Sequence, residues 1–181
     1  MRNLRDYYTT PASTVTEFFT KFAELVPTFD FATASVLDPS AGGCSVNPMP
    51  YPVALAELGC KNITTVDIRM DSRAEIKADY MQWYPVQQYD MVITNPPYVL
   101  ALDYIVTALD DCVAGGYVVM LVRLNFLGSV SRRDFWKHHT PTYCIVHAQR
   151  PRFSGTSDLC EFCHLVWKKG EYPDHIQTYV V

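Results

Sequence analysis

The stretch YDMVITNPPY, residues 89–98, decides how the chain is read. YDMVITN (89–95) is a largely apolar run of the kind that forms a buried strand. The run ends on Asn95 and meets Pro96-Pro97, which removes two backbone donors and fixes φ twice, so neither a strand ladder nor a helix interior continues. In open α/β sheets, ligands gather beyond such carboxyl ends, at the point where strand order reverses.

Strand, loop and helix alternate on both sides of this stretch. ASVLD (34–38) and NITTVD (62–67) are apolar runs that close on Asp38 and Asp67, and AEIKAD (74–79) is a weaker third strand. Helices are predicted over VALAELG (53–59), where Gly59 acts as a stop, and over about 99–113; GYVVMLVR (116–123) is a further buried strand. Ahead of the sheet, a helix is expected over Thr14–Val26: Thr14 and Glu17 have capping-box spacing, and Val15, Phe18, Phe19, Phe22 and Val26 form one stripe before Pro27. The tail carries a short helix near 131–138 and two extended runs, 142–149 and 159–168, joined by the polar loop RPRFSGTSD. Two strands joined by one loop imply an antiparallel hairpin. The expected fold is α/β and doubly wound: a mostly parallel seven-stranded sheet with a reversed edge strand, in a single domain over 1–181.

Hydrophobic residues make up 49% of the chain and charged residues 19%, which suits a packed domain and excludes a disordered segment. The opening MRNLRDYYTT has no signal-peptide core, and no apolar run reaches the roughly 18 residues of a membrane span, so a cytoplasmic protein is expected. Cys144, His147, Cys160, Cys163 and His164 have a spacing that invites a zinc reading. Strand alternation puts Cys160 and Cys163 on opposite faces, however, and no metal is expected.

The net charge of −4 is unevenly spread. Arg123, Arg132, Arg133, Lys137, Arg150 and Arg152 face only Asp134 within residues 123–152, leaving that segment at +5 and the remainder at −9. A basic segment on an acidic body suits a phosphate-tracking surface, and a solvated face with scattered charges accounts for it equally well.

The loop Asp38-Pro39-Ser40-Ala41-Gly42-Gly43-Cys44 is built of small residues that let backbone approach a ligand. It is not GxGxxG and no lysine follows its glycines, so it suits a nucleoside without phosphates. Asp67 stands where a carboxylate accepts hydrogen bonds from ribose hydroxyls. Asn95 offers an amide oxygen and Pro96 a carbonyl; together they accept both hydrogens of a planar amino group and free its lone pair for attack on an electrophilic methyl. Tyr98 supplies a ring for a base drawn out of its helix.

The ordered set TTP (9–11), VLDPSAGGCS (36–45), VDI (66–68), AD (78–79) and NPPY (95–98) resembles the S-adenosylmethionine-dependent adenine-N6 DNA methyltransferases, in a compact, phage-like form. The resemblance runs from about Tyr7 to Trp167. It implies that Thr10 and Pro11 contact the methionine end of S-adenosyl-L-methionine, and that Asp38, Pro39, Ser40, Ala41 and Gly42 line its path. It further implies that Asp67 and Ile68 hold the ribose side and that Asp79 contacts the cofactor adenine. Asn95 and the Pro96 carbonyl would grip the target amino group, with Pro97 stiffening the loop and Tyr98 stacking on the base. Three departures stand out: Cys44 replaces the second glycine of a G-x-G pattern, Pro48, Pro50 and Pro52 delay the next helix, and no length is left for a separate target-recognition domain.

The first functional expectation is therefore methyl transfer to adenine N6 in DNA, with relaxed or short-site specificity, no membrane partner and an open oligomeric state. The alternatives are an N-methyltransferase acting on RNA or on a protein glutamine side chain, and a non-catalytic binding module that has kept the fold. The acidic body favours the protein acceptor, the basic segment favours nucleic acid, and the intact NPPY counts against the non-catalytic module.

Overall fold

The computed structural model describes residues 9–153, 156–157 and 160–181. Tyr7, where the family resemblance begins, and Ser154, Gly155 and Asp158 of the loop after Arg150 lie outside the described residues. One eight-stranded sheet is built from β1 (Ser35–Asp38), β2 (Asn62–Asp67), β3 (Ile76–Lys77), β4 (Tyr89–Thr94), β5 (Cys112–Arg123), β6 (Tyr143–Val146), β9 (Phe162–Lys168) and β10 (Gln177–Val180). Two short strands, β7 (Arg152–Phe153) and β8 (Thr156–Ser157), pair only with each other. Across the sheet the order is β10-β6-β9-β5-β4-β1-β2-β3.

Every neighbouring pair is parallel except those that involve β9, which runs antiparallel to both β5 and β6. The mostly parallel, doubly wound α/β sheet is as expected, with two differences. Among the described residues the sheet has eight strands rather than seven, and the reversed strand lies inside it rather than at its edge. The extra strand is β10, which adds to β6 at the edge, and the reversed strand is internal because β6 pairs along its far side. The side chains of β10 are mostly exposed, so it lacks the apolar alternation that marks the other strands.

The helices that cover the sheet among the described residues are α1 (Ala12–Leu25), α2 (Pro50–Glu57), α3 (Ala101–Asp111) and α4 (Arg133–His138). Helices α1 and α2 bury Val15, Phe18, Phe19, Phe22, Tyr51 and Leu55 against Val36, Met91, Ile93 and Val119 on one face. On the other face α3 buries Tyr104, Ile105 and Ala108 against Leu37, Val92, Val118 and Met120. Alternation along β1, β4 and β5 sends successive side chains into these two layers.

The capping box is not formed. Helix α1 starts two residues earlier, at Ala12, behind Pro11, whose ring presets φ. Thr14 is buried inside the helix and Glu17 reaches instead to His147. Helix α2 also starts earlier than expected, because Pro50 and Pro52 occupy its first turn, where no backbone donor is needed. A single 3-10 turn, Tyr98–Leu100, precedes α3, and β5 begins directly after it at Cys112. The early part of β5 bulges: Tyr89 pairs with Cys112, but Met91 pairs with Tyr117. Gly115 takes a φ of +79° in the bulge, and a Cβ on Gly116 would stand 2.7 Å from the Asp90 carbonyl oxygen.

Candidate active site

Strand β1 lies between β2 and β4, so the chain leaves it in one direction for β2 and returns on the other side as β4. That reversal is the switch point, and the carboxyl ends of β1, β2 and β4 bring Asp38, Asp67 and Asn95 to it.

Asp38 is fully buried. Its Oδ1 accepts from Thr94 Oγ1 at 2.7 Å and from the Ser40 N–H at 3.2 Å, while Oδ2 has no hydrogen-bond partner among the described residues. Burial pushes its carboxyl up from 3.8 to about 7; the Thr94 and Ser40 hydrogen bonds pull it down, and the charge of Asp67 adds to the rise.

The loop beyond β1 is held by β2. Ala41 donates its N–H to the Val66 carbonyl at 3.0 Å, and Gly42 donates its N–H to Asp67 Oδ2 at 2.8 Å. Asp67 Oδ1 accepts from the Arg69 N–H at 2.8 Å. Both carboxylate oxygens of Asp67 thus already hold a backbone donor, and each keeps further acceptor capacity for a hydroxyl. Gly42 and Gly43 adopt φ of +66° and +70°. A Cβ on Gly43 would stand 2.7 Å from Met49 Cγ, so this glycine makes room for the chain's own side chains. Pro39 and Ala41 are buried and Ser40 is half-buried, whereas Ile68 is largely exposed.

Asp79 accepts from the Met81 N–H at 3.0 Å and from Gln82 Nε2 at 3.3 Å. It belongs to the same neighbourhood, for which Tyr104 is the witness. Burial raises the Tyr104 hydroxyl well above its ordinary value, the charges of Asp79, Asp67 and Asp38 raise it further, and the Ser40 side chain lowers it slightly. Tyr104 was not singled out in the sequence, because on α3 it occupies an ordinary core-facing helical position.

Asn95 Nδ2 donates to Thr10 Oγ1 at 3.1 Å. Its Oδ1 is buried without a hydrogen-bond partner among the described residues. Pro96 is buried, Pro97 half-buried, and the Leu100 N–H closes the turn on the Pro97 carbonyl at 2.8 Å. The Tyr98 ring packs on Phe162, with centroids 5.9 Å apart and planes 44° apart, and the Arg123 guanidinium lies over it at 5.2 Å. A base stacking on that face of Tyr98 would therefore meet Arg123.

The basic residues divide. Arg123 is at the end of β5, beside Tyr98. Arg132 lies over the Phe126 ring at 4.2 Å and donates from Nε to the Phe126 carbonyl. Lys137 pairs with Asp134 at 2.9 Å and Arg150 with Glu161 at 2.6 Å, while Arg133 and Arg152 are exposed. Two of the six charges thus face acids locally; Asp134 already enters the segment's +5, and Glu161 from outside the segment offsets one charge more.

Under α1 runs a buried chain that sequence reading did not find. Tyr51 Oη is 2.8 Å from His164 Nε2, His164 Nδ1 is 2.8 Å from His147 Nε2, and His147 Nδ1 is 3.2 Å from Glu17 Oε2. With Glu17 ionised, each member donates to the next from Tyr51 to Glu17. Burial holds both imidazoles below their ordinary value. Among the described residues no three His, Cys, Asp or Glu side chains form a metal-binding group, and no helix is long and apolar enough to cross a membrane.

Comparison with known proteins places the fold. No family model and no curated protein sequence matches the chain. A Listeria monocytogenes protein described as a class I S-adenosylmethionine-dependent methyltransferase has a TM-score of 0.69 at 14% identity, over 96% of this chain and 65% of its own. A Pyrococcus horikoshii protein described as an RNA methyltransferase has a TM-score of 0.69 at 16% identity, over 93% of this chain and 90% of its own. The M protein of the type I restriction enzyme EcoKI has a TM-score of 0.61 at 12% identity, over 82% of this chain and 44% of its own. The chain has the Rossmann-like fold of class I methyltransferases.

Proposed function

We propose that the chain transfers the methyl group of S-adenosyl-L-methionine to the exocyclic N6 amino group of adenine in DNA. One observation carries the reading: the desolvated, unpartnered Oδ1 of Asn95, an acceptor held ready beside the acidic end of β1. A buried acceptor without a partner costs about 1–3 kcal/mol, and such a group in a native site calls for a donor from outside the chain.

The donor set fits the cofactor. S-adenosyl-L-methionine is a sulfonium that also carries an ammonium group, and Asp38, Asp67 and Asp79 supply an acidic neighbourhood with no phosphate-binding lysine. The unpartnered Asp38 Oδ2 suits an ammonium donor, and Asp67 suits hydroxyl donors. When bound, the cofactor supplies an electrophilic methyl whose leaving group departs neutral, so the protein's task is positioning rather than acid catalysis. Asn95 Oδ1 and the Pro96 carbonyl accept the amino hydrogens, which strengthens those bonds as charge develops on nitrogen. The stiff Pro96-Pro97 turn keeps both acceptors in register with β4.

Adenine in DNA is supported by the NPPY resemblance, the Tyr98 ring and the Arg123 guanidinium beside it. RNA or a protein glutamine side chain is the second reading, supported by the overall charge of −4 and by the ion pairing of Lys137 and Arg150. Labelled-methyl transfer onto unmethylated DNA, RNA and a protein extract, followed by nucleoside and amino-acid analysis, separates them. Label in N6-methyladenine from DNA is expected; label only in RNA or glutamine overturns the choice of acceptor.

A further inference from the structure

Thr10 is 4% exposed and precedes the proline that opens α1. A residue before proline is driven to extended backbone, so its side chain is carried on a stiff stem. Alternation along β4 buries Met91 and Ile93 against α1, and the same parity continued by two residues turns Asn95 toward the segment that leads into that helix. The two side chains meet there: Asn95 Nδ2 donates to Thr10 Oγ1 at 3.1 Å across 85 residues of sequence.

The consequence lies in the other half of the amide. An asparagine presents an acceptor on one side and two donors on the other, and rotation by half a turn exchanges them at almost no steric cost. With Nδ2 on Thr10, the buried Oδ1 is what the site presents. With the amide reversed, Oδ1 would take the Thr10 hydroxyl proton, and the site would present N–H groups to the hydrogens of an incoming amino group. Donor against donor forms no grip. The orientation of Asn95 is therefore as necessary as its identity, and nothing within NPPY sets it.

We propose that Thr10 is a positioning residue that fixes the Asn95 amide with its oxygen toward the acceptor substrate. Its hydroxyl acts as the acceptor in this contact and keeps one proton to donate elsewhere. Any group that takes that proton locks Thr10 as an acceptor toward Asn95, and so locks the amide. This differs from the cofactor contact that sequence resemblance assigns to Thr10, since its effect falls on the amino group and not on affinity for the methyl donor. The activity arm of the test rests on the amino-methyltransferase reading; the spectroscopic arm does not.

The test compares the full chain with Thr10→Val, Thr10→Ala and Thr10→Ser. Valine keeps the branched shape without the acceptor, alanine removes the bulk as well, and serine keeps the hydroxyl. Exchange of the Asn95 side-chain amide protons, followed by 15N-edited NMR, is expected to be roughly tenfold faster in the valine and alanine variants and near the parental rate with serine. In methyl transfer, kcat is expected to fall roughly tenfold to a hundredfold with valine, with the KM for S-adenosyl-L-methionine little changed and serine recovering most of the loss. Unaltered Asn95 amide exchange in both hydroxyl-free variants overturns the proposal, whatever the activity. A loss confined to the KM for S-adenosyl-L-methionine overturns it in favour of a direct cofactor contact. If the parent chain methylates no amino acceptor, the function proposed above fails, while the exchange measurement still decides how Asn95 is held.

Discussion

Replacing Asp38 by Asn removes the one carboxyl whose burial the fold opposes most directly. Asp38 is fully buried, one oxygen lacks a partner, and its carboxyl is raised from 3.8 to about 7. At about 1.4 kcal/mol per tenfold change in proton affinity, a rise of that size amounts to about 4 kcal/mol. The sign follows from which state binds the proton more tightly. The native carboxyl holds its proton up to a higher pH than the unfolded one, so stability is fully present below about 3.8 and is lost as pH rises through about 7. Asparagine has no charge to bury, although its Nδ2 inherits the unpartnered position at a cost of about 1–3 kcal/mol that does not depend on pH. Urea unfolding of parent and variant at intervals from about pH 4 to about pH 8 reads the difference, and every other titrating group cancels in the comparison. The variant is expected to gain about 4 kcal/mol relative to the parent across that range, most of it between about pH 4.5 and about pH 7. Parallel curves, with a gap that does not change with pH, would refute the reasoning. The cofactor offers a second reading of the same group. On the proposed reading its ammonium would stabilise the ionised carboxylate, so calorimetry near pH 6.5 in two buffers of different ionisation enthalpy should register release of most of a proton from the parent and none from the variant.

Three further outcomes follow from the same geometry. Asn95→Ala is expected to lower methyl transfer by roughly a hundredfold to a thousandfold while calorimetric binding of S-adenosyl-L-methionine survives, and substantial remaining activity would remove Asn95 from the mechanism. His147 and His164 are held neutral by burial, so the sign is the reverse of that for a histidine paired in its charged form: their contribution is present above about 6.5 and lost as pH falls below it. His164→Asn should flatten the decline in stability below about pH 6.5, and an unchanged slope in acid titration would place that decline elsewhere. Gly43→Ala puts a side chain at a φ of +70° and a Cβ 2.7 Å from Met49 Cγ, and should cost roughly 1–3 kcal/mol in urea unfolding; neutrality there would mean that the loop after β1 readily rearranges.

Much of this architecture could be read from the chain because the central strands β1, β4 and β5 are buried on both sides and so carry continuous apolar runs. Val36-Leu37, Val92-Ile93 and Val118 to Val122 all belong to this class, and each lies in the sheet where expected. Elements that depend on partners distant in sequence were harder to read. Strand β10 is mostly exposed and gains its place only by pairing with β6, so no periodicity announces it. The start of α1 was misplaced because Thr14 and Glu17 fit a capping box locally, whereas Glu17 has a stronger claim from His147, 130 residues away. At the site, the acidic strand ends and Asn95 were legible from position alone, because a strand's carboxyl end is fixed by the strand. Tyr104 and the orientation of the Asn95 amide were not, since both are set by side-chain neighbours from other elements.

The cysteines and histidines of the tail show how a cluster in sequence divides in space. Cys144, His147, Cys163 and His164 all lie on or beside the paired strands β6 and β9, close enough in sequence to invite a shared ion. Period-two alternation separates them. Cys144 and Cys163 enter the layer beneath α3, while His147 and His164 turn to the opposite layer, where His164 packs against Phe18 with ring centroids 4.3 Å apart. There the histidines join Tyr51 of α2 to Glu17 of α1, tying down both helices that flank the acidic strand ends. One ion shared by all four would need donors from both faces of one sheet, which the backbone between them forbids. A hydrogen-bonded chain needs donors and acceptors on one face only, and alternation supplies that. The histidines therefore lie in the layer that carries α1, where they hold that helix through Glu17 and Phe18.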